Sequence, residues 1–273
     1  MNNRAISISV MSVILFALSI NLGGCTMSSG VKKDMEEYLR VTYEKEFFLK
    51  SEPRLVGGSW VFPATTYVSR DAYPADDPEL TFDISWDTKE RTYKDSYLSI
   101  RWTREGRKVI EQKLREVYEE GAFFIDRYRF FYNFQEDQKF TWAEVMKNRS
   151  EYNRIDFNYF IFVEGVLDRE KEAKRAYKLL KENFIDYKLM QYNFIVYFIY
   201  SHKKKECLDI WTGKGSRSHE GADKMHKAGI LKDWIRVNYA KVLAEKYSHD
   251  ILEQEIKSAE DLLKTRFQIK EGK

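Results

Sequence analysis

Four residues in the last third of the chain, His219, Glu220, Asp223 and His226, have the side chains a zinc ion takes. On a helix, His219, Asp223 and His226 fall at i, i+4 and i+7, within an arc of roughly 60°, so all three could meet one ion. The spacing is not the His-Glu-x-x-His of a metalloprotease, and Gly221 weakens the helix that would hold it. The competing reading is a solvated helix face. Thr212-Gly213-Lys214-Gly215-Ser216 has the composition of a phosphate loop without its spacing, which makes it a surface turn. The carboxylates Asp76, Asp77, Glu79, Asp83 and Asp87 could supply a glycosidase pair or hold calcium. Asp83 and Asp87 share the polar face of one strand, and a wetted face is the simpler account. Cys207 is expected to be a small buried apolar residue rather than a nucleophile. Lys203-Lys204-Lys205, with Lys214, Arg217, Lys224 and Lys227, forms a basic zone that either leans on anionic headgroups or protects a sheet edge. No catalytic residue, metal or cofactor is assigned.

A more specific pattern stands near the start. Arg4 is followed by an apolar run from Ala5 to Leu22, and the run ends in Leu22-Gly23-Gly24-Cys25. A plain secretory signal ends in an Ala-x-Ala-like site, and a membrane span needs ~20 apolar residues. Small residues before a cysteine fit a peptidase that draws in extended backbone, and a thiolate can carry a thioether-linked diacylglycerol. Leu22, Gly23, Gly24 and Cys25 together resemble the lipobox of bacterial lipoproteins. The resemblance implies a signal peptide over 1–24, lipid attachment (diacylglyceryl, palmitate) on Cys25 and a short tether over 25–30. It also implies an address on the extracytoplasmic face of the cell membrane. Residue 26 is Thr, so the Asp that retains lipoproteins in a Gram-negative inner membrane is missing, which implies the outer membrane in such a host.

Composition bounds the rest. The chain has 46 basic and 43 acidic side chains, a net charge of +3, which gives no electrostatic footprint for nucleic acid. Aromatics make up 15%, enough ring area for a folded core. With Cys25 committed to lipid, Cys207 has no partner for an intramolecular disulfide.

The elements that must position these residues read as α+β: a mixed, mainly antiparallel sheet with helices packed on it. A helix is expected over 31–46, then strands over 47–50, 55–68 and 80–87, a polar loop over 87–94 and a helix over 103–120 closed by Gly121. An aromatic strand follows over 122–134, with Ala122, Phe124, Tyr128, Phe130 and Tyr132 on one face. Thr141 and Glu144 form a capping box. Strands over 155–163 and 194–200, apolar on both faces, flank a helix capped by Asp168, which predicts a βαβ unit. An edge strand over 202–211, a helix over 230–247 and a last helix from Ser258 complete the chain. Two subdomains are delimited, 31–103 and 104–273.

The sequence thus points to a membrane-anchored envelope lipoprotein. Its role is expected to be non-catalytic, a binding or scaffolding domain near the membrane surface, with an envelope protein or wall polymer as partner. The alternative is a surface hydrolase or metal-dependent enzyme using His219, Asp223 and His226.

Overall fold

A computed structural model of the protein describes residues 27–57, 65–131, 138–148, 154–187, 189, 191–212, 219–240 and 256–265. The chain divides into two compact units, 1–95 and 96–273. Both are α+β, each a helix-covered sheet, and pairing is antiparallel throughout except for one parallel pair in the second unit.

The first unit opens with α1 (Met27–Tyr43) and continues with β1 (Phe47–Leu49), β2 (Arg54–Val56), β3 (Thr66–Pro74), β4 (Phe82–Asp87) and β5 (Thr92–Asp95). Strands β1 and β2 follow one another along the same edge of β3, and β4 and β5 extend the sheet on the other side. Val31, Met35 and Leu39 recur at helical spacing on α1 and are buried, as are Phe47, Leu49, Phe82 and Ile84 on the sheet. The Tyr38 and Tyr43 hydroxyls donate to the Asp95 carboxylate at 3.3 and 2.8 Å.

Two expectations change here. The helix begins at Met27, so residues 27–30 are helical and not part of an extended tether over 25–30. The polar stretch 87–94 is not all loop: β5 returns along β4. Asp87 makes that possible, because its carboxylate accepts from the amides of Lys89 and Glu90 and so closes the turn.

The second unit runs α2 (Tyr97–Arg115), β6 (Phe123–Phe131), α3 (Trp142–Asn148), β7 (Arg154–Val163), α4 (Arg169–Leu180), β8 (Gln191–Tyr200), α5 (Lys204–Thr212), α6 (His219–Lys227), β9 (Leu231–Ala240) and α7 (Ala259–Thr265). The strands pair in that order. Only β7 and β8, joined by the α4 crossover, are parallel. This is the expected βαβ unit, and both its strands are buried on both faces. On one face Phe157 and Phe194 meet Phe184 from the turn after α4. On the other, Phe160, Phe162, Tyr197 and Ile199 pack with Cys207 and Trp211 of α5 and Met225 of α6. The capping signals form as read. Thr141 and Glu144 exchange hydrogen bonds, Asp168 accepts from the Lys171 amide, and Ser258 accepts from the Asp261 amide.

Other expectations are overturned. The unit boundary precedes 103/104, because α2 begins at Tyr97 rather than Thr103, and that helix closes at Arg115, well before Gly121. Residues 202–211 do not form an edge strand. Lys204, Cys207 and Trp211 fall on one side of a helix, with Cys207 and Trp211 fully buried and the Lys204 ammonium 4.7 Å from the Phe162 ring centroid. Residues 231–240 are a strand, not the start of a helix over 230–247. Leu231, Asp233, Ile235 and Val237 are buried while the residues between them are half-buried, a period of two. Phe124 does not share a face with Tyr128 and Phe130, and Tyr132 lies outside the described residues. The register shifts between Ile125 and Arg127, and the extra residue, Asp126, turns Phe124 towards Phe160 and Tyr128 and Phe130 to the opposite side.

Among the described residues no helix is long and apolar enough to cross a membrane.

Candidate functional site

Open parallel sheets bind ligands beyond the carboxyl ends of their strands, at points where the strand order reverses; the single crossover from β7 through α4 to β8 offers such ends without the reversal. Here β7 and β8 end side by side at Val163 and Tyr200. Two adjoining depressions of about 620 and 680 Å³ open at that end and share Val163, Glu164 and Ser201.

The depression of about 620 Å³ is floored by Ile161 and Phe162. It is walled by the first turns of α4, the turn 118–122 and Lys204. Glu172 stands at its base, buried apart from 6% of its surface. One carboxylate oxygen accepts from the Tyr118 hydroxyl at 2.8 Å, and the other from the Arg175 guanidinium at 2.7 Å. The Arg175 guanidinium also lies 4.8 Å from the Tyr118 ring centroid. Burial, with Tyr159 and Glu172 close by, pushes the Tyr118 phenol well above its ordinary range, so it stays protonated and donates. Glu172 therefore has both carboxylate oxygens engaged by the protein itself, which suits holding a shape. Lys204 is held in the same way, donating to the Gly121 carbonyl at 2.9 Å. Gly121 itself has φ +80°, a left-handed turn that other residues resist.

The rim differs from the base. Glu119 and Glu164 are exposed, and Val166, 93% exposed, projects beside them. In the adjoining depression the Tyr200 and His202 rings lie 5.6 Å apart, and the Lys232 ammonium caps the Tyr200 ring at 4.5 Å. The crevice thus combines acceptors and apolar surface at its mouth with an internally neutralised base. That arrangement can recognise a partner that brings hydrogen-bond donors or cationic groups.

The residues singled out by type and spacing do not assemble here. Leu22, Gly23, Gly24 and Cys25 lie outside the described residues. Helix α6 forms, and His226 is exposed on it with its ring 6.5 Å from Trp234; the side chains of His219, Glu220 and Asp223 lie outside the described residues. Among the described residues no three His, Cys, Asp or Glu side chains are grouped to hold a metal. Cys207 is fully buried beside the Met225 sulfur at 3.6 Å, and burial pushes its thiol up to about 12. Asp76 pairs with Lys45 at 2.7 Å, Asp83 is exposed, and Asp87 serves the turn that joins β4 to β5. Lys203 pairs with Glu206 at 2.6 Å, while Lys214 and Arg217 lie outside the described residues.

Tyr118, Glu172 and Arg175 were not foreseen from the sequence. Their one signal is a carboxylate in the first turn beyond the Asp168 cap, adjoining the small residues Ala173 and Ala176 that face the sheet.

No family model matches this chain, and no curated protein matches it. Among solved structures it is similar to the crystal structure of a DUF5037 family protein from Ruminococcus gnavus. The two are 14% identical, the match covers 77% of this chain and 91% of that one, and the TM-score is 0.39.

Proposed function

We propose that this protein is a lipid-anchored envelope protein that binds a partner, an envelope protein or a wall polymer, close to the outward face of a membrane. The observation that carries the reading is the run Ala5–Leu22 closed by Gly23-Gly24-Cys25, followed almost at once by a folded helix at Met27. A lipid on Cys25 would hold the first unit against the bilayer, because two residues of extended chain reach only about 7 Å. The crevice beyond β7 and β8 supports recognition over turnover, since the buried Glu172 and the lysine beside it, Lys204, are bound to the protein itself. The test is metabolic labelling with palmitate in a bacterial host. Label on the wild type and none on Cys25→Ser is the expected result. Wild-type protein without label refutes the anchor.

A further inference from the structure

The first unit has an aromatic row at one end of its sheet. Leu55, Tyr67, Trp86 and Tyr93 lie in register across β2, β3, β4 and β5. Tyr67 stacks on Trp86 at 6.1 Å, Trp86 on Tyr93 at 5.9 Å, and Tyr93 on Tyr38 of α1 at 4.4 Å. All four rings are half-buried rather than buried, and at the end of the row Leu55 and Val56 are 49% and 41% exposed.

The course of α1 brings the start of that helix to the same end. The Tyr43 ring packs on Phe47, and the Leu49 amide donates to Glu36, so α1 runs antiparallel to β1. Followed towards its start, the helix leads past Leu49 in the direction of β2, and Cys25 precedes its first residue by two. Lys32 and Lys33 lie in its first turns, Arg54 adjoins Leu55, and Lys89 and Arg91 stand in the turn between β4 and β5. Asp34, Glu52 and Glu90 are the acids among them, Asp87 being closed onto the turn amides. Tyrosine and tryptophan with an apolar body and a polar tip, with lysine and arginine on the adjoining segments, suit the headgroup boundary of a bilayer.

We propose that this end of the first unit docks on an anionic phospholipid bilayer. Leu55, Val56 and the row Tyr67–Trp86–Tyr93 meet the interface, and Lys32, Lys33, Arg54, Lys89 and Arg91 meet the phosphates. The choice of a bilayer as occupant rests on the lipid-anchor reading, but the contact itself does not require the lipid.

The test uses residues 25–273 carrying Cys25→Ser, sedimented with vesicles of phosphatidylglycerol and phosphatidylcholine or of phosphatidylcholine alone, at low salt. Sedimentation with the anionic vesicles only is expected. Arg54→Gln with Lys89→Gln weakens it roughly thirtyfold. Leu55→Asp with Val56→Asp abolishes it with circular dichroism unchanged, and Lys203→Gln with Lys205→Gln leaves it as it was. No sedimentation, or full sedimentation of the Leu55/Val56 variant, or equal weakening by the Lys203/Lys205 variant, overturns the proposal. Palmitate labelling is read separately. An unlabelled wild type whose Cys25→Ser chain still sediments would remove the anchor and keep the docking face.

Discussion

Replacing glycine by alanine inside a helix ordinarily stabilises a protein, and two of the helical glycines here, Gly30 and Gly106, have opposite surroundings. Gly30, in α1, is exposed, and a Cβ built there meets nothing within 4 Å. Gly30→Ala is expected to add about 0.5–1 kcal/mol to the first unit by restricting the unfolded chain. Gly106, in α2, is buried where the helix crosses β6. A Cβ there would lie 2.5 Å from the Trp142 indole nitrogen, 2.5 Å from the Tyr128 hydroxyl oxygen and 2.7 Å from a Tyr128 ring carbon. These are about 1 Å inside the 3.5–4.0 Å optimum for non-bonded contact. Neither ring is a loose end. Tyr128 is 3% and Trp142 2% exposed, Tyr128 packs edge-on against Phe157, and the Trp142 amide is tied to Glu105 at 2.8 Å. Overpacking costs typically 1–3 kcal/mol, and the deep overlap selects the upper part of that range. Set against a propensity gain of about 1 kcal/mol, Gly106→Ala should destabilise the second unit by about 1–2 kcal/mol. That lowers its melting point by about 3–8 °C. Near-ultraviolet circular dichroism reads this directly, since Trp102 and Trp142 are both buried in that unit. A Gly106→Ala protein as stable as the wild type, or more so, would refute the close packing of α2 on β6.

Three further outcomes follow from the same structure. Arg169 pairs at 2.6 Å with Asp233, a fully buried carboxylate on β9; Arg169→Met should cost the second unit about 2–4 kcal/mol in urea unfolding, and adding Asp233→Asn should recover part of it. The Asp71 carboxyl sits below its usual 3.8: burial acts to raise it, but hydrogen bonds from Ser51 and Ser69 outweigh burial. Its contribution is therefore complete above pH 3.8 and fades as the pH falls through the lower folded value, so the first unit should lose stability on acidification below about pH 4, and Ser69→Ala should make that loss smaller. In the Cys25→Ser protein, Cys207 should resist a thiol reagent at pH 8 until denaturant is added; prompt labelling of folded protein would contradict its burial.

What could be read from the sequence depended on whether a residue's neighbours in space were also its neighbours in the chain. Thr141 with Glu144, Asp168 and Ser258 with Asp261 are local devices, and each forms as its spacing announces. The parallel pair was legible too, because strands buried on both faces lose the alternation of a half-wet strand. Residues 231–240 misled because Leu231, Trp234 and Ile235 imitate a helical stripe, whereas the face that is buried is chosen by β8, far away in sequence. Cys207 and Trp211 suit either strand or helix by type, and only the rings of Phe160 and Tyr197 decide between them. The crevice escaped for the same reason. Tyr118 and Glu172 stand on separate elements and meet only after β6, β7 and α4 are assembled.

The doubly covered strand β8 has a cost before the chain is folded. Phe194-Ile195-Val196-Tyr197-Phe198-Ile199-Tyr200 contains no charge, proline or glycine, the composition from which amyloid zippers are built. Its partner β7 reaches it only across a completed crossover, and β9 arrives only after two more helices. During that interval the segment can pair with another copy of itself. Lys203-Lys204-Lys205, just downstream, then act as gatekeepers whose mutual repulsion keeps unfinished chains apart. In the finished fold two of them take on a second use, Lys203 pairing with Glu206 and Lys204 donating to the Gly121 carbonyl.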